Sequence, residues 1–208
     1  TERSAGEIDA QMQAVDGAVY DLHIGQVAAL DPDLVVTQAT CDVCAVDANQ
    51  VKDAVTQIDS EPDILTLDPH SFSDALADVE RVGRAAGRAD AAETLTAELA
   101  ARVETVEQRA EAAVAANGRP RTAVMDWTDP PLRAGHWVGE MVTRAGGAAA
   151  FQPDGASEPV GFDAIRRYDP EVLVVAPCVF DRATAVDAVA DLPAPEWWRC
   201  VAAVSRGR

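Results

Sequence analysis

Two segments of the chain carry residue types that can do chemistry. The first is Cys41-Asp42-Val43-Cys44. A CxxC between a strand and a helix can be a redox pair, because a helix N-terminus lowers thiol pKa. It can also be half of a zinc site, but structural zinc takes four ligands. No second CxxC follows, and His23, His70 and His136 lie far apart in sequence. Asp42 and Asp47 flank the pair with negative charge, which raises a thiol pKa and disfavours redox work. In the plainer reading, these small side chains line a pocket or sit half-buried beside one.

The second segment is Asp126-Trp127-Thr128-Asp129-Pro130-Pro131-Leu132-Arg133-Ala134-Gly135-His136-Trp137. It gathers two Trp, one His and a Pro-Pro pair next to a glycine. Aromatic faces on a rigid loop bind large flat ligands through buried area. Either Trp could instead fill the core. Nucleophile elbow, P-loop, GxGxxG and HExxH motifs are all missing. No pair of carboxylates stands out as an acid–base couple, so no catalytic residue and no metal ligand set is assigned.

The elements that must position these segments follow from hydrophobic periodicity. A helix is expected over Ile24–Leu30, stopped by Asp31-Pro32-Asp33, with a strand over Leu34–Thr37. Asp47–Ile58 reads as an amphipathic helix and Ile64–Leu67 as a strand. Ser71 with Asp74 predicts an N-cap opening a helix over Phe72–Ala86. Ala89–Ala116 reads as one long helix ended by Asn117-Gly118 and Pro120, roughly 40 Å at 1.5 Å per residue. Beyond it come a strand over Thr122–Met125, a Pro-containing loop over Trp127–Gly135 and a helix over Trp137–Ala145. A helix over Phe162–Tyr168 and an all-apolar strand over Val172–Ala176 follow; such a strand is expected to be buried on both faces. Trp197-Trp198 reads as a packing anchor for a short helix. Strands alternating with helices on both sides of the long helix predict two α/β lobes.

A weak internal repeat agrees with two lobes. Gly17–Val36 aligns without a gap to Gly155–Val174 at an offset of 138, pairing Val27 with Ile165 and Asp31-Pro32 with Asp169-Pro170. In both copies a helix, an Asp-Pro-acid turn and an apolar strand lead to a cysteine, Cys41 or Cys178. If the copies are equivalent, both thiols should face a shared ligand cleft, with Cys200 away from it near the Trp anchor.

Composition narrows the partners. The 208 residues are 48% hydrophobic and 25% charged, which excludes a disordered chain or a coiled-coil rod. No apolar run approaches the ~18–20 residues of a membrane span. Thirty-five acids against seventeen bases give a net charge of −18, so nucleic acid is excluded as a partner. The excess is spread along the chain, and the only lysine is Lys52. Self-repulsion of this size suits a salty medium, where the Debye length falls to ~3 Å at 1 M, and points to a halophile, a haloarchaeon by expectation; the alternative is an ordinary acidic protein of a GC-rich genome, where Arg replaces Lys through codon bias.

Pro32 through Ala45, with its Thr37-Gln38 and Cys41-x-x-Cys44, resembles the cobalamin (vitamin B12)-type substrate-binding proteins of ABC importers. So do Leu67-Asp68-Pro69-His70-Ser71 with Val82-Gly83, Asp126–Trp137 with Ala145-Gly146-Gly147, and Asp169-Pro170 through Ala176-Pro177-Cys178. These blocks follow the family order over nearly the whole chain. The resemblance implies a class III binding protein of the iron-siderophore/B12/metal superfamily. Its fold would be α/β, two Rossmann-like lobes joined by one long connecting helix, with the ligand cleft between them. The expected division is 1–88 for a partial N-terminal lobe, 89–117 for the connecting helix and 118–208 for the C-terminal lobe. Against the family pattern, a strand–helix unit is expected before Thr1, and a further strand and closing helix after Arg208.

The function this implies is capture of cobalamin or a related corrinoid without catalysis and without a cofactor. The partners implied are a transmembrane ABC permease and the corrinoid itself. The protein would act as a monomer in an extracellular or periplasmic, membrane-associated setting, with its anchor outside this chain. Trp127, Asp129, Leu132, His136 and Trp137 would bind ligand from one lobe, and Tyr20, Gln38 and Cys41 from the other. The alternatives are an iron-siderophore or haem, for which Arg133 is the obvious cation, and a metal ion held by His70 with His136. From another class, the alternative is a CxxC thiol-disulfide oxidoreductase.

Overall fold

The computed structural model describes residues 3–15, 20, 22–40, 46, 48–56 and 61–207. Cys41, Cys44 and Asp47 lie outside these, as do Gly17 and Ala18 of the repeat. The chain divides into two compact units, Met12–Ala101 and a second made of Thr1–Gln11 with Arg102–Arg208. They are called here the N-terminal and the C-terminal unit.

In the N-terminal unit, helix α2 (Ile24–Leu30) leads to strand β1 (Leu34–Gln38), and α3 (Ala48–Val55) precedes β2 (Asp63–Leu67). Helix α1 (Ala5–Gln13) lies ahead of them in the chain and belongs, up to Gln11, to the C-terminal unit. β1 and β2 pair in parallel, Leu34 opposite Asp63 through Gln38 opposite Leu67. The apolar stripe of α3 explains its place, since buried Val51 and Val55 pack with Ile24, Val27, Val35 and Ile64. Helix α4 (Phe72–Ala85) opens on the expected capping box. The Ser71 hydroxyl accepts from the Asp74 N–H at 3.0 Å, and the Asp74 carboxylate accepts from the Ser71 N–H at 2.9 Å.

Helix α5 (Ala89–Asn117) runs 29 residues, from the N-terminal unit into the C-terminal one, and stops before Gly118 at φ 75°. Its C-terminal half is tied to the C-terminal unit, where Arg144 pairs with Glu107 at 2.5 Å and Gly146 lies against Ala110 and Val114.

The C-terminal unit is built on a four-stranded mixed sheet in the order β5-β4-β3-β6. Its strands are β3 (Thr122–Thr128), β4 (Pro131–Arg133), β5 (Glu158–Pro159) and β6 (Val172–Val175). β3 and β6 run parallel, and β4 is antiparallel to both β3 and β5. Helices α6 (Val138–Arg144), α7 (Phe162–Tyr168), α8 (Arg182–Ala190) and α9 (Ala202–Arg206) complete the unit. The core gathers Ala123, Met125, Phe151 and Ile165, with Phe162, Tyr168 and Trp198 packed against them. Trp198, in a 3-10 turn over Glu196–Cys200, meets Phe162 edge-on at 5.4 Å, so it anchors that turn as expected.

Two expectations are corrected. Trp127–Gly135 is not a loop: β3 continues to Thr128, and Pro131–Arg133 returns as β4 around Asp129-Pro130, whose peptide is cis. Proline at the first residue of a strand costs the sheet little, which is why the Pro-Pro pair did not prevent pairing. β6 is not buried on both faces; Val174 is 43% exposed, and among the described residues β6 ends the sheet, paired with β3.

Candidate functional site

The β3–β4 hairpin holds the candidate site of the C-terminal unit. Between the pairs Met125–Arg133 and Trp127–Leu132 one extra residue, Asp126, is inserted as a bulge. Bulges break the alternation of a strand and re-aim the side chains beyond them, commonly beside binding sites. Below the bulge, a buried amide locks the hairpin to the loop before β5. Gln152 accepts from the Val124 N–H at 2.9 Å and donates to the Ala134 carbonyl at 2.5 Å. At the bulge, Ser157 donates to the Asp126 carboxylate and accepts from the Gly135 N–H at 3.0 Å. Gly135 sits so close to the backbone of residues 155–157 that no Cβ could fit there.

Above the bulge, Trp127 is half-buried with its ring 5.4 Å from that of Phe180. Its indole N–H donates to the Asp129 carbonyl at 3.0 Å. Leu132 lies directly opposite Trp127. The exposed Asp129 carboxylate lies against Gly6, where any larger residue would collide with it. Trp127, Asp129 and Leu132 therefore come together at one end of the sheet, beyond the C-terminal ends of parallel β3 and β6, where open α/β sheets bind ligands. A hollow of about 260 Å³ adjoins them, lined by Thr128, Asp129, Phe180 and Asp187 among others.

His136 and Trp137 form a separate pair with ring centres 6.0 Å apart. His136 adopts φ 53° and donates its N–H to the Gly155 carbonyl at 2.5 Å. Arg133, the anion-binding candidate, is already used. It donates to the Phe151 carbonyl at 2.9 Å, pairs with Glu158 at 2.5 Å and lies 6.0 Å from the centre of the Phe151 ring.

In the N-terminal unit, Gln38 ends β1, and its side-chain oxygen accepts from the Thr40 N–H at 3.1 Å. It lines an apolar hollow of about 450 Å³ with Ile24, Val35, Val36 and Leu67. Tyr20 is 43% exposed. Cys41 lies outside the described residues. His70 pairs with Asp68 at 3.2 Å. Among the described residues, no three His, Cys, Asp or Glu side chains converge as a metal site, and no helix is long and apolar enough to cross a membrane.

Cys178 and Cys200 are free and exposed. Partial burial, and next the Asp126 carboxylate, push the Cys178 thiol above its ordinary 9.0. This disfavours the thiolate, the nucleophilic form. Phe180 and Ser157 escaped the sequence reading. Phe180 follows a strand end and had the aromatic signal; Ser157 had none, because its role depends on a loop folding back onto the bulge.

The fold recurs in solved structures. A periplasmic haem-binding protein from Pseudomonas aeruginosa superposes with a TM-score of 0.71 at 18% identity, over 90% of this chain and 66% of its own. An ABC-type Fe3+-hydroxamate transport protein from Saccharomonospora viridis gives 0.64 at 20% identity, over 97% and 70%. The periplasmic vitamin B12 binding protein of Vibrio cholerae gives 0.61 at 13% identity, over 90% and 67%. Identities this low carry the fold alone, the α/β class III architecture with its long helix. No curated protein sequence matches the chain. The sequence itself matches the periplasmic binding protein family over residues 14–208. Members of that family hold a cargo rather than a cofactor and do no chemistry on it, so the oxidoreductase reading of Cys41 and Cys44 is set aside. The chain belongs to the periplasmic binding protein family.

Proposed function

We propose that this protein captures a corrinoid, cobalamin or a close relative, outside the cytoplasmic membrane and delivers it to an ABC permease. The observation that supports this best is the hairpin end of the C-terminal unit. There Trp127 and Phe180 lie 5.4 Å apart beside Leu132, with the Asp129 carboxylate at the rim. Two aromatic rings and a leucine offer the apolar area that a flat macrocycle buries, and a carboxylate accepts from the amide groups around its edge. His136 and Trp137 extend the same reading. In the N-terminal unit Gln38, Tyr20 and Cys41 are the residues proposed to touch cargo. The net charge of −18 fits a protein working in a salty medium.

Titration with cyanocobalamin by calorimetry tests this. One equivalent should bind at micromolar affinity or tighter, and Trp127→Ala should weaken it by ~10-fold or more, as expected when a central aromatic anchor is removed. Silence with cyanocobalamin alongside heat with haem or a ferric hydroxamate would move the cargo to the class those structural neighbours are named for.

A further inference from the structure

We propose that Val179 is a cargo-contact residue of the C-terminal unit, held in an unfavourable backbone conformation where its side chain meets ligand beside Trp127 and Phe180. This rests on the binding reading above and would hold for any cargo that offers an apolar face.

Val179 has φ 62°. The other non-glycine residues described in the left-handed region are Asp31, Glu61, His136 and Asp169, none of them β-branched. Two of these, Asp31 and Asp169, end helices there. For valine the region is a genuine outlier, because both branches at Cβ crowd the backbone. The Phe180 N–H donates to the Pro177 carbonyl at 3.4 Å, so Pro177–Phe180 is a β-turn with Val179 at its third position. A positive φ at that position belongs to the turn type that takes Gly or Asn.

Burial does not offset this strain. Val179 is 93% exposed, so its methyl groups pack against almost nothing in the chain. Exposure alone says little, since Leu30 is 78% exposed inside α2. Exposure joined to strain sets Val179 apart. Its neighbours fix the turn from both sides. The Ala176 N–H donates to the Met125 carbonyl at 2.8 Å, and the Cys178 N–H to the Asp126 carbonyl at 3.2 Å. Beyond the turn, the Phe180 ring meets Trp127, and Asp181 caps α8. Strain persists where the surroundings over-determine it, and such positions cluster at functional sites.

Position identifies the occupant. Val179 follows Cys178, bonded to the bulge, and precedes Phe180 of the aromatic pair. Consecutive Cα atoms lie about 3.8 Å apart, which brings Val179 within reach of a ligand seated on Trp127 and Phe180. A side chain that strains the backbone and packs on nothing in the fold is accounted for by that contact.

The test pairs urea unfolding with calorimetric titration of the intact protein, using cyanocobalamin and, if that is silent, haem and a ferric trihydroxamate. Val179→Gly and Val179→Asn both suit a positive φ and should raise the urea midpoint. Each should also weaken the probe that binds by ~3-fold or more, since burying one methylene is worth about 4-fold in affinity. Val179→Ile keeps the branch and the apolar surface, so it should bind within ~2-fold of the parent and gain no stability. Unchanged affinity in Val179→Asn overturns the inference and leaves the binding reading standing. A urea midpoint that rises in neither Val179→Gly nor Val179→Asn overturns it as well. No binding of any probe to the parent protein removes both.

Discussion

The segments α2–β1 and α7–β6 are two copies of one sequence idea in different surroundings. Both helices are seven residues long, Ile24–Leu30 and Phe162–Tyr168, and the strands start at matching positions, Leu34 and Val172. Both helices end on an Asp in the left-handed region, Asp31 at φ 46° and Asp169 at φ 49°, each followed by Pro. The local code therefore reproduces the local backbone twice. Burial differs. Ile165 is 0% exposed in its core, while its counterpart Val27 is only half-buried. Tyr168 donates from its hydroxyl to the Ala148 carbonyl at 2.8 Å, where its counterpart Leu30 is 78% exposed. Turn chemistry is set by a few neighbouring residues, but packing is set by how many strands and helices arrive from elsewhere. Among the described residues, the second copy joins a four-stranded sheet and the first a pair of strands.

The largest expected effect tests that difference directly. Ile165→Ala should cost about 2–5 kcal/mol, the usual range for emptying a closed core site. Val27→Ala should cost about 1 kcal/mol, because part of that side chain already meets solvent. Urea unfolding followed by Trp fluorescence reads the C-terminal unit alone, since all four Trp lie between residues 127 and 198. Circular dichroism reads both units. Equal losses in the two variants would mean that the copies are equally buried, and the comparison would collapse.

A smaller effect separates the two aspartates. Asp169 does more than end a helix: it accepts from the Ala202 N–H at 3.0 Å and pairs with Arg121 at 3.2 Å, while Arg121 also donates to its carbonyl at 2.8 Å. Asp169→Gly should therefore destabilise by about 1–2 kcal/mol despite relieving the left-handed backbone. Asp31→Gly gains the same relief at an exposed position and should fall within about 0.5 kcal/mol of the parent protein. A loss at residue 31 as large as that at residue 169 would show that the first turn is held by contacts as strong as the second.

The same division explains what was legible in the sequence. Helix ends signalled by Asp-Pro, by Ser71 with Asp74 and by Asn117-Gly118 were read within a residue, because each signal is local. The fold class followed from strand–helix alternation around α5. The hairpin of residues 127–133 was hidden because its returning strand is three residues long, begins on Pro131 and pairs through a bulge, none of which an alternating pattern signals. The exposure of Val174 was hidden for a related reason: an apolar run reads the same at a sheet's edge as at its centre. At the candidate site, Trp127, Asp129 and Leu132 were legible as a cluster of types. The Asp126 bulge, the Ser157 bridge and the stacking of Phe180 were not, because each joins residues 22 to 53 positions apart or arises from register.

The smallest expected effect concerns how each unit starts a helix. In the N-terminal unit the neutral Ser71 hydroxyl caps α4, while Asp74 closes the box. In the C-terminal unit Asp181 alone caps α8, accepting from the Thr184 N–H at 2.8 Å. Hydrogen bonds from Ser71 and His70 hold the Asp74 carboxyl below its ordinary 3.8, and the Thr184 N–H does the same for Asp181. A carboxyl whose pKa is lower in the folded state adds stability above the unfolded value of 3.8 and loses it as pH falls through the folded value. Ser71→Ala should cost about 1 kcal/mol at pH 7. Asp181→Ser keeps an acceptor at the cap but removes the titration, so its urea midpoint should match the parent at pH 7 and drop less at pH 3. A variant that loses as much as the parent on acidification would show that Asp181 adds nothing to the acid sensitivity of its unit, leaving that sensitivity to its paired carboxylates.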